Sequence, residues 1–349
     1  MRIEVHLASS AAPARRRDGK ARLAAIAAAA AFVGAAAPAG AEVRELRLAY
    51  QYGFIYLPIE IAAHAGLVEA RAKELGVSDL KVTTQRFSGT PAMNEALISG
   101  NVDMGALGLP GVLIAWEKTR HAFKALAAMP LTSFFLYTNK PEIKTLADFK
   151  EGDRIALPAP NSGQGIFLKM GFEKLYGEGQ HVRADRLMVA LPHPDAFAAL
   201  TTGTQVTGYF SVPPYSQMLA KDSHVHLVTT AKEILGGFEA SGSGVLVSQR
   251  FVDANPKVSL AVLRGIEDAD KLIRERPSEA AKIFIEAENS KLAPDLVEEI
   301  LTDGSHGWQV EPSGVVALGG FMAKIGMLQE APKSWKDVFF PLIHDREGS

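Results

Sequence analysis

The stretch FSGTPAMNEALISGNVDMGALGLPGVLIAW, residues 87–116, decides how this chain is organised. Ser88-Gly89-Thr90-Pro91 ends a strand at Leu80–Phe87 and starts a helix at Ala92–Ser99. Thr90 is a fair N-cap, Pro91 suits the first helical turn, and Gly100 closes the helix. Val102–Ala106 then reads as a short apolar strand. The loop Gly108-Leu109-Pro110-Gly111 follows, with a second helix over Val112–Lys118 and another strand over Phe123–Met129. Strand, short loop and helix in repetition predict a parallel sheet covered by helices on both faces.

The same grammar extends both ways. Upstream, strand Leu46–Tyr50 runs through Gln51-Tyr52-Gly53 into a helix over Leu57–Gly66. Downstream, strand Ser133–Thr138 and a polar connection lead to a second series. Strand Arg154–Leu157 is followed by loop Asn161-Ser162-Gly163-Gln164-Gly165 and helix Ile166–Leu175. Strand Arg186–Ala190 is followed by His193-Pro194-Asp195 and helix Ala196–Thr201. Thr207–Phe210 and Val225–Val228 complete that unit, Val245–Val247 is an isolated strand, and the chain from Pro256 onward is helical. Two α/β units in tandem, joined by one strand leading out and one leading back, predict two lobes, two hinge crossings and a crevice at the carboxyl ends of both sheets.

Composition limits the chemistry. The 349 residues contain no Cys, which removes disulfides, thiolate metal sites, Cys nucleophiles and a lipid-anchored Cys. With 37 Lys+Arg against 39 Asp+Glu, the chain lacks the basic surplus of a general nucleic-acid binder. Residues 1–41 read as an export signal: Arg15, Arg16, Arg17, Lys20 and Arg22 precede an Ala-rich core, and Ala39-Gly40-Ala41 supplies a small-x-small cleavage site. Cleavage before Glu42 takes six basic and two acidic residues away, so 349 less 41 leaves 308 residues of net charge −6. No later run reaches membrane-spanning length.

No catalytic constellation assembles. HExxH, P-loop, GxSxG and EF-hand patterns are all missing from the sequence. His224 and His226 would share one face of a strand, yet no carboxylate stands at metal-ligand spacing, so neither metal nor cofactor is expected. The starts at Ser88-Gly89-Thr90, at Ser162-Gly163-Gln164 and at His193 offer backbone N–H groups and hydroxyls, the ingredients of an anion or carbonyl site. Ordinary helix capping accounts for any one of them; three at strand carboxyl ends bring a ligand site level with that reading. Tyr50, Tyr52, Phe54, Tyr56, Phe87, Tyr209, Phe210 and Tyr215 fall at loops or strand ends, Tyr52 being the best candidate for a pocket wall. Lys and Arg form no patch.

Three stretches in order, LRLAYQYGFIYLPIEIAAHAGLVEARAKELG (46–76), residues 87–116, and GSGVLVSQRFVDANPKVSLAVLRGIEDADKLI (242–273), together with the leader, resemble ABC-transporter periplasmic substrate-binding proteins. The resemblance is to the nitrate/sulfonate/taurine type, which includes binders of thiamine-pyrimidine precursors, and covers about residues 44–290. It implies an α/β, type II periplasmic-binding-protein fold. Each lobe would be a mainly parallel sheet flanked by helices, with lobe 1 from residues 42–133 and 243–349 and lobe 2 from 134–242. It also implies a monomer in the periplasm that captures a small polar or aromatic, chiefly anionic solute and passes it to a permease and ATPase in the inner membrane. The ligand-binding positions it implies are Gln51, Tyr52, Gly53, Ser88, Gly89, Thr90, Leu109, Asn161, Ser162, Gly163, Gln164, His193, Phe210 and Ser211. Where many relatives carry Trp or Asp at a strand end, this chain has Tyr209-Phe210-Ser211. Two other roles share the scaffold: an enzyme like thiamine-pyrimidine synthases or menaquinone-pathway lyases, and a receptor module feeding a sensor kinase.

Overall fold

Strand β1, Glu45–Tyr50, buries Leu46, Leu48, Ala49 and Tyr50, the apolar run expected of a strand covered on both faces. The computed structural model describes residues 42–349, which form one compact unit; the proposed leader lies outside them. In chain order the remaining strands are β2 (Lys81–Arg86), β3 (Met104–Gly108), β4 (Phe123–Ala128), β5 (Leu131–Thr132), β6 (Phe135–Thr138), β7 (Ile155–Leu157), β8 (Met188–Ala190), β9 (Gly208–Ser211), β10 (His226–Thr230), β11 (Ser243–Ser248) and β12 (His306–Gly307).

They form two five-stranded sheets of the same design. The first has the order β2-β1-β3-β11-β4 and the second β10-β6-β9-β7-β8. In the first, β1 lies parallel to β2 and β3, while β11 is antiparallel to β3 and β4. In the second, β7 lies parallel to β8 and β9, while β6 is antiparallel to β9 and β10. Four strands of each sheet therefore run one way and one runs against them. The expected mainly parallel α/β architecture is present, and the reversed strand of each sheet is one that the chain makes immediately after crossing from the other.

The two crossings lie side by side. Gly242 N–H donates to Pro130 O (2.9 Å), Met129 N–H donates to Ser243 O (2.9 Å), and Leu131 bridges to Ser241. The short β5–β12 ladder flanks them. The helical part packs back on the first sheet's helices, Pro256–Glu275 against Leu57–His64 and Leu67–Glu74. The last residues also pack there. Phe339 bridges to Ala125, Phe340 N–H donates to Ala125 O (2.9 Å), and Trp116 Nε1 donates to Asp337 O (2.9 Å).

Local differences from the sequence expectation have physical causes. Helix Leu57–His64 ends at Ala65, and left-handed Gly66 starts a new helix, Leu67–Glu74, instead of only stopping the first. Arg186 lies outside β8 because the short helix Val182–Asp185 occupies the approach. His224 sits in the turn before β10, where it meets Asp222, so it does not share a strand face with His226. No helix among the described residues is long and apolar enough to cross a membrane.

Candidate functional site

Loops from the carboxyl ends of both sheets meet at one cavity of about 20 Å³, room for roughly a single water. Gln51, Tyr52, Ile55, Tyr56, Ser88, Thr90 and Gly108 line one side, and Pro158, Ser162, Gly163, Gln164 and His193 line the other. Phe134 and Gly242 reach it from the two crossings.

Four helices begin at these residues: Thr90–Ile98, Leu109–Lys118, Gly163–Tyr176 and His193–Thr202. Their N-caps are Gly89, Gly108, Ser162 and Pro192, and only Ser162 caps with a side chain, its Oγ accepting from Gly165 N–H at 3.3 Å. In the other three, Pro91, Pro110 and Pro194 stand at the second helical position, where a missing N–H costs nothing. Helix N-termini leave backbone N–H groups without intrahelical partners, and each carries about half a positive charge. Convergence of four such ends from two sheets gives the cavity a positive field without a cationic side chain.

Close backbone approach fixes these loops. A side chain at Gly165 would put its Cβ 2.2 Å from Pro160 O. Gly53 holds φ at 112°, and a Cβ there would meet Val212 Cγ2 at 2.8 Å. Its neighbour Phe54 donates from N–H to Pro213 O (2.9 Å), tying the loop after β1 to the loop after β9.

The side chains are polar but uncharged. Gln51, Thr90, Ser162, Gln164 and His193 are all buried. Gln51 Nε2 donates weakly to Ala106 O at 3.5 Å. Burial raises the Tyr56 hydroxyl pKa, opposed by a hydrogen bond from the Gly108 backbone. Burial pushes His193 down to about 3, so its imidazole is neutral. Its Nδ1 lies 2.5 Å from Tyr209 Oη and its Nε2 lies 3.3 Å from Gln164 Nε2. Tyr215 stacks on its ring at 5.6 Å, and burial raises that tyrosine to about 12.

A cation waits just outside. Arg86, at the end of β2, lies over the rings of Tyr52 (5.0 Å) and Tyr50 (5.4 Å) and is paired with Glu288. Behind the first side, burial raises Glu60 to about 8, with Arg86 opposing it, and Glu60 Oε1 has no hydrogen-bond partner among the described residues. Tyr50 Oη pairs with His64 Nε2 at 3.2 Å nearby.

Of the residues expected from sequence, Gln51, Tyr52, Ser88, Thr90, Ser162, Gly163, Gln164 and His193 come together around the cavity. Six do not line it. Gly53 and Gly89 shape the loops, and half-buried Asn161 precedes the Ser162 cap. Leu109 and Phe210 are core residues at 1% and 0% exposure. Ser211 is buried and donates from Oγ to Phe135 O (2.9 Å). Sequence reasoning did not single out Ile55, Phe134, Pro158 or Gly242, whose apolar or loop identity carries no chemical signal. Arg86 was legible only as a strand-end residue two positions before Ser88. Among the described residues no cluster of three or more His, Asp or Glu could hold a metal, and His226 Nε2 instead faces Ile143 O at 2.7 Å.

No curated protein sequence matches this chain. A Bordetella bronchiseptica protein of solved structure superposes with TM-score 0.70 at 20% identity, covering 85% of this chain and 95% of that one. The alkanesulfonate-binding protein SsuA from Xanthomonas axonopodis pv. citri, bound to MOPS, gives 0.66 at 22% identity, covering 84% and 96%. The periplasmic nitrate-binding protein NrtA from Synechocystis PCC 6803 gives 0.59 at 15% identity, covering 74% and 70%. The fold is that of the periplasmic binding proteins. Residues 39–286 match the NMT1-like family across most of the chain's length, and the protein belongs to that family.

Proposed function

We propose that this protein is the solute-binding component of an ABC importer, capturing a small polar or aromatic anionic solute and presenting it to a membrane permease. The observation that carries the reading is the convergence of four helix N-termini, from loops of both sheets, on one uncharged cavity. The solved neighbours named for alkanesulfonate and nitrate binding take anions, which agrees with it.

In this reading residues 42–133 with 243–349 form one lobe and 134–242 the other, and the paired crossings are the hinge. Gly236 and Gly237, at φ 81° and 105°, lie in the second crossing. Opening would break Gln217–Asp303 (2.7 Å), Lys221–Glu299 (2.9 Å) and Lys324–Glu173 (2.6 Å), all between the two segments. The solute holds the lobes together because it touches both only when they are shut. A cavity of about 20 Å³ is shut around too little space for a sulfonate, so solute entry needs the lobes to part. Export to the periplasm by the leader, work as a monomer and absence of catalysis complete the proposal.

A thermal-shift screen of nitrate, sulfonates, taurine, aromatic carboxylates, pyrimidines and flavins tests it. A bound solute raises the melting temperature as RT ln(1 + [L]/Kd), and recovery of the solute unchanged separates capture from turnover. A screen in which no anion stabilises the protein overturns the reading. For a confirmed solute, Ser88→Ala combined with Ser162→Ala should weaken binding at least tenfold, about two lost hydrogen bonds. Unchanged affinity would remove the assignment of this cavity.

A further inference from the structure

Behind the cavity, Gln164, His193 and Tyr209 form a line of contacts that ends in the core. The Tyr209 side chain is fully buried, and burial keeps its hydroxyl protonated. Among the described residues the hydroxyl has one hydrogen-bond partner, His193 Nδ1 at 2.5 Å. A buried hydroxyl proton needs an acceptor, so Tyr209 donates and Nδ1 accepts. A neutral imidazole that accepts at Nδ1 carries its proton on Nε2. That N–H faces the Gln164 carboxamide, whose Nε2 stands 3.3 Å away. Two donors facing one another repel, and a half-turn of the carboxamide puts Oε1 in that place as acceptor. The NH2 group is then turned away from His193.

We infer that Tyr209 and His193 are positioning residues that hold the Gln164 NH2 group toward the cavity, making the site selective for solutes that present only acceptors there. This rests on the solute-capture reading above and gives it a chemical class: sulfonate, carboxylate or nitrate oxygens are accepted, and amides or amines of the same shape are refused. The other groups agree. Helix N-termini present N–H, and Ser162 Oγ already accepts from Gly165 N–H, which leaves its own proton to donate.

Two measurements on the full chain test this. In 15N-labelled protein, long-range 1H–15N spectra read the tautomer of each histidine, with His193 identified by its loss in His193→Asn. The expected result is an Nε2–H form unchanged from pH 5 to pH 8; an Nδ1–H form overturns the relay. Calorimetry compares methanesulfonate with methanesulfonamide, which swaps an acceptor oxygen for a donor NH2 at nearly constant shape. Methanesulfonate should bind about 100-fold more tightly, because the amide leaves buried donors facing a donor. Equal affinities overturn the selectivity. Tyr209→Phe keeps the ring and removes the donor; it should release the tautomer and narrow the preference about tenfold. A folded Tyr209→Phe with the original preference also overturns the proposal. An Nε2–H tautomer beside no binding of methanesulfonate, nitrate or acetate overturns the solute reading and the selectivity with it. An Nδ1–H tautomer beside tight methanesulfonate binding overturns the relay alone.

Discussion

Glu60 lies behind the first-sheet side of the cavity and His193 lies on the second-sheet side. Burial acts on both and moves them in opposite directions, the carboxyl up to about 8 and the imidazole down to about 3. Near neutral pH, one side is uncharged because an acid keeps its proton, and the other because a base has lost one. The walls also differ in where their donors come from. The first offers helix starts capped by glycines, Gly89 and Gly108, and an exposed Ser88. The second offers side chains held from behind, with Ser162 on its own helix and His193 on Tyr209. A field made of backbone dipoles tolerates side-chain changes, whereas one made of linked side chains does not.

The largest test of this contrast uses pH. Folded Glu60 keeps its proton up to about pH 8, while the unfolded chain releases it near 4.5. Its contribution to stability is therefore complete below 4.5 and is lost as pH rises through 8. Asp270, buried and raised well above its ordinary value, acts in the same direction. Folded His193 stays neutral down to about 3 while the unfolded chain protonates near 6.5, so its contribution is complete above 6.5 and is lost as pH falls. His306, lowered to about 4 by burial, adds to that limb. Stability should thus fall on both sides of a maximum. Glu60→Gln should flatten the alkaline limb, gaining about 4 kcal/mol over wild type between pH 4.5 and pH 9. Urea unfolding at the two pH values measures it, and parallel limbs would mean that Glu60 ionises in the fold against Arg86.

Next in size is the backbone of each wall. Gly165→Ala sets a methyl group against Pro160 O and should cost about 3 kcal/mol as the helix start is pushed aside. Gly53→Ala meets the movable Val212 side chain and a left-handed φ, and should cost about 1–2 kcal/mol. Denaturant midpoints order the two; a reversed order would make the first wall the more rigid one. The smallest difference is between the serines. Ser162→Ala removes a cap and should lower stability by about 1 kcal/mol. Ser88→Ala, at an exposed position that caps nothing, should leave the melting temperature unchanged and reduce only solute affinity. Equal losses in stability would show that the two starts are built alike.

The alternation of strand and helix was readable because strands such as β1, β3 and β9 bury apolar runs and the helices at the cavity start at Ser, Thr, Pro or Gly. Strand Leu46–Tyr50 and helix Val112–Lys118 are observed within a few residues, the helix beginning earlier, at Leu109, because Pro110 is admitted at its second position. Helix Leu67–Glu74 was hidden because Gly66 punctuates equally well as an end or a beginning. Of the eight cavity residues that were legible, Ser88, Thr90, Ser162, Gly163, Gln164 and His193 stood out as helix starts, and Gln51 and Tyr52 as the loop after the first strand. Phe210 and Ser211 were misleading in another way: both sit at a strand end, but β9 is paired on both sides and absorbs them into the core. Tyr209 shows the limit most clearly. In sequence it is one more aromatic in a strand, and its contact with His193 exists only because β9 and the helix after β8 are folded together.

The placement of β11 has a consequence for how the molecule is made. The strand lies between β3 and β4, so the first sheet has a one-strand gap until residues 243–248 arrive. All five strands of the second sheet lie within residues 135–230 and are available earlier. During synthesis, the half that begins first is the half that finishes last. A chain stopped after residue 242 would own a complete second sheet and two unjoined pieces of the first. Such an order of assembly delays closure of the first core until most of the chain has emerged.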